Sequence, residues 1–254
     1  MILVLAGTTE ARSVIDPLQQ RGYKVIAATF SKYGKALLNK KDNLTVRDGG
    51  LDQDSLVELT QEMGIKAVVD ATHPFAVKVS SMAMTVCSRM ELCYIRYERG
   101  TTRLTEGQRV IIVGTFTDAA QKANGYKGCV FLTVGVNHLE TFCRVIPPER
   151  IVARVLPQIT SLEKCLALGI APANVLAMQG PFSQELNREL FRQYSAGVVV
   201  TKDSGETGGV EEKLAAAAEL DIPVIMVQRP RPEYPVVVGD IEGLLGELER
   251  RIEG

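Results

Sequence analysis

The chain opens with short, wholly apolar runs alternating with longer stretches of helical spacing. That alternation limits the possible folds more than any other feature. Ile2–Ala6 is apolar at every position and ends at Gly7. Thr9–Arg21 then puts Ala11, Val14, Ile15 and Leu18 on one helical face, with Gly22 as a stop. Tyr23–Thr29, Leu44–Val46, Lys66–Asp70 and Leu92–Arg96 read as further strands. Lys35–Asn39, Asp52–Met63 and Pro74–Arg89 read as helices, the last with proline at its start. Strands that are apolar throughout are buried on both faces, which points to a parallel sheet covered by helices. A polar stretch, Tyr97–Gln108, interrupts the pattern and reads as an interdomain crossing. Strands are expected again at Val110–Val113, Cys129–Val134, Ile151–Val155, Val175–Met178, Val198–Thr201 and Pro223–Val227. Helices are expected at Asp118–Ala123, Ser161–Leu168, Gln184–Tyr194, Gly209–Leu220 and Ile241–Ile252. The expected fold is α/β: two doubly wound, Rossmann-like parallel-sheet lobes with an interdomain cleft. The lobes divide as residues 1–100, a nucleotide-binding domain, and 101–254; Val110–Val113 could join either sheet.

Composition narrows the function classes. With 46% hydrophobic and 23% charged residues, the 254-residue chain has ample material for a core, which excludes disorder. Lys and Arg number 29 against 30 Asp and Glu, so a net charge of −1 gives no bulk attraction to nucleic acid or to an anionic membrane. Cys87, Cys93, Cys129, Cys143 and Cys165 form no CxxC, and His73 and His138 lie far apart, so no metal site is expected. Buried, reduced thiols in a cytoplasmic protein are the expectation. The apolar run at the start lacks basic flanks and is too short for a signal peptide or a membrane span.

In such sheets ligands sit beyond the carboxyl ends of strands, so chemistry is sought there. Gly7-Thr8-Thr9-Glu10-Ala11-Arg12 follows the first strand and opens a helix. The glycine allows close backbone approach, and free N–H groups, two hydroxyls and Arg12 suit a phosphate. Ser31-Lys32-Tyr33-Gly34 follows the second strand, where a dinucleotide fold holds ribose. No acid stands there, and a hydroxyl beside a cation suits a 2′-phosphate, which favours NADPH over NADH; Tyr33 could stack on adenine. Asp70-Ala71-Thr72-His73-Pro74-Phe75 ends the fourth strand and projects His73 at the sheet edge. Gly180-Pro181-Phe182-Ser183 precedes a helix that Ser183 can cap. Thr201-Lys202-Asp203-Ser204-Gly205-Glu206-Thr207-Gly208-Gly209, with Lys213 beyond, offers N–H groups, hydroxyls and an ammonium to an anion. Arg229-Pro230-Arg231-Pro232 adds cations after the last expected strand; His138 reads as structural.

Taken in order, GTTEAR, the YG after the second strand, ATHPFA, GPFS, TKDSG with its following GG and lysine, and the closing RP resemble the precorrin-6A reductase family of cobalamin biosynthesis. The resemblance spans Ile2 to Pro230. It implies hydride transfer from a nicotinamide nucleotide, NADPH or in some members NADH, to a carbon of a contracted tetrapyrrole, metal-free or cobalt-containing. Such a polycarboxylate needs a locally basic site. Ser183, Lys202, Asp203, Ser204, Gly205, Lys213 and Arg229 are the expected substrate contacts, with Arg12 as a further cation. Gly7, Thr8, Thr9, Glu10, Arg12, Ser31, Lys32, Tyr33, Gly34, Thr72, His73, Pro74 and Phe75 are the expected cofactor contacts. His73 and Ser204 are expected to orient the reacting groups, with His73 as a proton source. Two other readings stay open: an α/β methyl or glycosyl transferase, and a non-catalytic two-lobed binding protein. Against them stand the missing acid after the second strand and the missing leader. The number of subunits is left open.

Overall fold

A computed structural model describes residues 1–6, 10–29, 45–48, 51–100, 104–105, 107–205 and 208–253. The expected short helix Lys35–Asn39 lies outside them. Two compact units form: one from Met1–Gly100 together with Pro230–Gly254, the other from Thr101–Arg229. Each contains one six-stranded sheet in which every described pairing is parallel.

The first lobe runs β1 (Ile2–Ala6), α1 (Glu10–Gln20), β2 (Val25–Thr29), β3 (Thr45–Asp48), α2 (Gln53–Glu62), β4 (Ala67–Ala71), α3 (Val77–Arg89) and β5 (Cys93–Tyr97). Its strand order is β12-β5-β4-β1-β2-β3, where β12 is Val237–Val238. The strand β1 alternates between two cores. Ile2, Val4 and Ala6 pack with Ala11, Val14 and Leu18 of α1, while Leu3 and Leu5 pack with Leu56 and Leu59 of α2 and Ala83 and Val86 of α3. The Asp52 side chain caps α2 by accepting from Ser55 N.

The second lobe runs β6 (Val110–Val113), α4 (Phe116–Asn124), β7 (Cys129–Leu132), α5 (Leu139–Cys143), β8 (Ile151–Val155), α6 (Ile159–Ala167), β9 (Val175–Ala177), α7 (Gln184–Gln193), β10 (Ala196–Lys202), α8 (Val210–Glu219) and β11 (Val224–Val227). The strand order is β6-β11-β10-β7-β8-β9, so Val110–Val113 joins this sheet, beside β11. Phe131, Val152 and Val199 bury one face against Phe191 of α7 and Val210 and Leu214 of α8. Five free cysteines are buried or half-buried, and burial pushes Cys87 up to about 12 and Cys129 up to about 11. No helix among the described residues is long and apolar enough to cross a membrane.

The structure corrects the division of the chain. Pro230–Gly254 belongs to the first lobe, not to a continuous second lobe ending at residue 254. After Arg229 the chain returns and lays β12 beside β5. Arg96 N donates to Val236 O (2.9 Å) and Glu98 N to Val238 O (2.9 Å). The following α9 (Ile241–Leu248) buries Leu244 and Leu248 in the same core as Ile2, Val4 and α1. A two-residue strand carries too little periodicity to be seen in sequence. A second correction concerns Pro74, which does not start the helix. A turn closed by Ala76 N donating to His73 O (2.7 Å) occupies that place, and α3 begins one turn later.

Because Leu244 fills the first lobe's core, Leu244→Ala should cost about 2–5 kcal/mol, the usual cost of such a cavity. Urea unfolding with amide exchange is the measurement: protection should fall in β1 and β2, not only around residue 244.

Candidate active site

In both sheets the strand order reverses at one gap, the place where ligands sit in such folds. In the first lobe the gap lies between β1 and β4. The two are in register, with Ala6 opposite Ala71, so the loop after Ala6 and the loop after Ala71 start side by side at the carboxyl edge. The order β3-β2-β1-β4-β5-β12 is that of a dinucleotide-binding sheet, its sixth strand supplied by the end of the chain. Arg12 is exposed on the first turn of α1, at the positive end of that helix. Among the described residues, this strand order and an exposed cation on the first turn of α1 are what the edge offers an anion. Gly7, Thr8, Thr9, Ser31, Lys32, Tyr33 and Gly34 lie outside the described residues, as does the side chain of Glu10.

The loop after β4 is held from below by a buried ionic network that the sequence reading missed. Asp70 is fully buried. Its Oδ1 accepts from Thr72 N (2.9 Å), Thr72 Oγ1 (2.6 Å) and Arg96 Nη1 (2.9 Å), and its Oδ2 accepts from Tyr94 OH (2.6 Å). Arg96, 1% exposed, also bonds Glu98 through Nε at 3.0 Å and lies over the Tyr234 ring. Burial alone would raise the Asp70 carboxyl. The Arg96 charge and the donated hydrogen bonds outweigh it, so the group sits below the usual carboxylate range. The only trace in sequence is an aspartate closing an apolar strand and an arginine closing the next. Tied to Asp70, Thr72 is buried and His73 emerges half-buried. Phe75 N donates to His73 Nδ1 (3.2 Å), which leaves the proton of the neutral ring on Nε2. Pro74 is buried and Phe75 half-buried, with its ring tilted against His73.

The second lobe reverses between β7 and β10. Here several expected ligand groups serve the loop itself. Arg229 and Asp203 form a buried two-point ion pair, Nε to Oδ2 and Nη2 to Oδ1 at 3.1 Å each. Lys213, 7% exposed, donates to Gly208 O at 2.9 Å. A Cβ at Gly208 would meet Ser204 Oγ at 1.9 Å, so only glycine lets the loop close over the half-buried Ser204. Gly205, beneath, has φ +75°, a backbone conformation suited to glycine. Ser183 is exposed and caps α7, accepting from Leu186 N. Beside it Arg154, also missed in sequence, bonds Asn187 Oδ1 (2.8 Å) and lies over the Phe182 ring. Lys202 is half-buried at the end of β10. Burial brings it down to about 8. It brings Lys213 to about 7, with the charges of Arg154 and Lys202 adding to the fall.

Residues 1–249 match the family model Precorrin-6x reductase CbiJ/CobK. The chain belongs to that family. It is 41% identical over 253 residues to a cobalt-precorrin-6A reductase of Methanothermobacter thermautotrophicus, covering 97% of this chain and 83% of the relative. It is 38% identical over 251 residues to a cobalt-precorrin-6A reductase of Priestia megaterium, covering 98% of each. A solved CobK precorrin-6A reductase superposes with a TM-score of 0.79 at 27% identity, over 99% of this chain and 97% of that one. The two parallel-sheet lobes described above are thus those of a precorrin-6x reductase, an oxidoreductase of cobalamin biosynthesis.

Asp70→Asn should destabilise the protein by about 3–5 kcal/mol, because it leaves Arg96 buried without its main partner. The folded carboxyl is depressed, so its contribution is present above the ordinary carboxylate pKa and is lost as pH falls through the lower folded value. Urea midpoints of the two proteins should therefore converge in strong acid. Lys213 acts with the same sign in a more alkaline range. Its folded value near about 7 lies below the ordinary 10.5, so the unfolded chain binds the extra proton and stability rises with pH between them. Lys213→Met should flatten that slope in urea titrations.

Proposed function

We propose that this chain reduces the cobalt-containing precorrin-6A macrocycle, using a reduced nicotinamide nucleotide held at the carboxyl edge of the first lobe's sheet. The observation that carries the reading is the junction of β1 and β4 in register, in a chain whose whole length matches a reductase family. The 41% and 38% identical relatives, both cobalt-precorrin-6A reductases, support the cobalt form as substrate. When bound, the nucleotide supplies a hydride; the protein needs no nucleophile of its own for that chemistry.

The chain's residues then have positioning and proton work to do. The loop beginning at Gly7 and the first turn of α1, with Arg12, would hold the diphosphate. Lys32, beside Ser31, would take a 2′-phosphate, which makes NADPH the donor in this reading. Thr72, fixed by Asp70, sets the height of His73 above the sheet edge. With Nδ1 accepting from Phe75 N, the neutral His73 ring keeps its proton on Nε2, where it would donate a hydrogen bond to charge developing on the macrocycle. Ser204 would orient the ring edge from the second lobe's loop.

Both precorrin-6A forms, each with NADPH and with NADH, make the test, read as loss of the reduced nicotinamide absorbance. Turnover of the cobalt form with NADPH is expected to be fastest. His73→Ala should lower turnover about 10²–10³-fold, as loss of a donor to developing charge does. Equal turnover in the variant would remove His73 from the chemistry, and failure of every substrate pair would remove the reading itself.

A further inference from the structure

The segment that returns to the first lobe carries Tyr234, a residue with no part in the reading above. Pro230, Pro232 and Pro235 fix φ on either side of it. A turn closed by Tyr234 N donating to Pro232 O (2.9 Å) comes just before the first pairing with β5, Arg96 N to Val236 O (2.9 Å). Tyr234 is thereby delivered against the core that Leu3, Leu5, Tyr94 and α3 share. Its ring lies nearly parallel to that of Tyr94, with centroids 6.4 Å apart and planes 12° apart. The central carbon of the Arg96 guanidinium is 5.4 Å from its centroid. Tyr94 and Arg96 stand two positions apart on β5 and so share a face, and one ring covers both. Asp70 is the register partner of Arg96 on β4.

Arg96 reaches in two directions. Its Nε bonds Glu98 Oε2 at 3.0 Å. Its Nη1 bonds Asp70 Oδ1 at 2.9 Å and Thr72 Oγ1 at 3.2 Å, the second of these inside the loop that bears His73. A flexible side chain makes all three bonds at once only when its guanidinium plane is held. An aromatic face holds that plane by attraction for the cation, whereas an aliphatic side chain of equal size only fills the space. The ring also keeps water from the Asp70–Arg96 pair, whose attraction is strong only where the surroundings are poorly polarisable. The ring, not the hydroxyl, makes both aromatic contacts.

We propose that Tyr234 is a positioning residue for the reduction: its ring holds Arg96 in the orientation that bonds Asp70 and Thr72, and so sets the loop in which Phe75 N fixes the tautomer of His73. What His73 does for the reaction rests on the reductase reading. The link from Tyr234 to His73 belongs to the first lobe and is also measured without turnover.

The chain has 2 histidines, so NMR of the full chain labelled in its histidine ring nitrogens gives two sets of signals, told apart by His73→Ala. In alkaline buffer, where imidazoles are neutral, wild type and Tyr234→Phe should show His73 with Nδ1 bare and Nε2 protonated. Tyr234→Leu should move the His73 signals toward the exchanging tautomers of a free imidazole, while His138, in the second lobe, stays unchanged as the control for folding. If Tyr234→Leu does not fold, Tyr234→Met, which fills the space with a flexible thioether, makes the same comparison. In turnover of cobalt-precorrin-6A with NADPH, Tyr234→Leu should lower kcat about 10-fold and leave both KM values within about twofold, with Tyr234→Phe restoring most of the rate. In the His73→Ala background the same substitution should cost less than about twofold, because the group it positions is already gone. The proposal is overturned if the His73 signals do not respond, if Tyr234→Phe is as slow as Tyr234→Leu, or if Tyr234→Leu costs as much without His73 as with it. If the His73 signals respond as expected but no form of precorrin-6A is reduced, the link stands and the reductase reading falls.

Discussion

Strands buried on both faces cannot carry chemistry along their length, because a polar side chain there has no solvent and few partners. That constraint governs this molecule. In the first lobe β1 gives both faces to packing and leaves only its carboxyl end for ligands. The same holds for β7 and β10 in the second lobe, whose polar groups gather in the loops that follow. Each sheet therefore offers one working edge, and strand order picks out one gap on it.

Asp70 is the exception that proves useful to the edge. It is a buried charge at the last turn of a buried strand, and it is tolerated because Arg96, Tyr94 and Thr72 satisfy both of its oxygens. The network fixes the loop that bears His73 without using surface residues. The pair Asp203–Arg229 does the same for the second lobe's loop, joining the end of β10 to the end of β11. The arginine expected as a ligand for an anion thus also props the loop beside it.

Most of the architecture was legible because each apolar run has one dominant explanation. Ile2–Ala6, Ile151–Val155 and Gln184–Tyr194 were read within a residue of their observed limits. What escaped were features defined by pairing rather than by period. Val237–Val238 is a strand only because Arg96 and Glu98 present backbone groups to it, and Asp70–Arg96 is an ion pair only because β4 and β5 lie side by side. Arg229 is legible as a cation but its buried pairing is not, since its partner Asp203 lies 26 positions away. His138, read as structural, does pack on Phe116, yet the same ring walls a cavity that no motif announced.

The return of Pro230–Gly254 to the first lobe makes the second lobe a continuous insertion within a discontinuous one. During synthesis, every strand of the second lobe's sheet is made before Pro230. The sheet begun by the first strand still lacks the helix that covers part of one face. The half made first is thus the half completed last, and until Leu244 and Leu248 emerge part of its apolar surface stays uncovered.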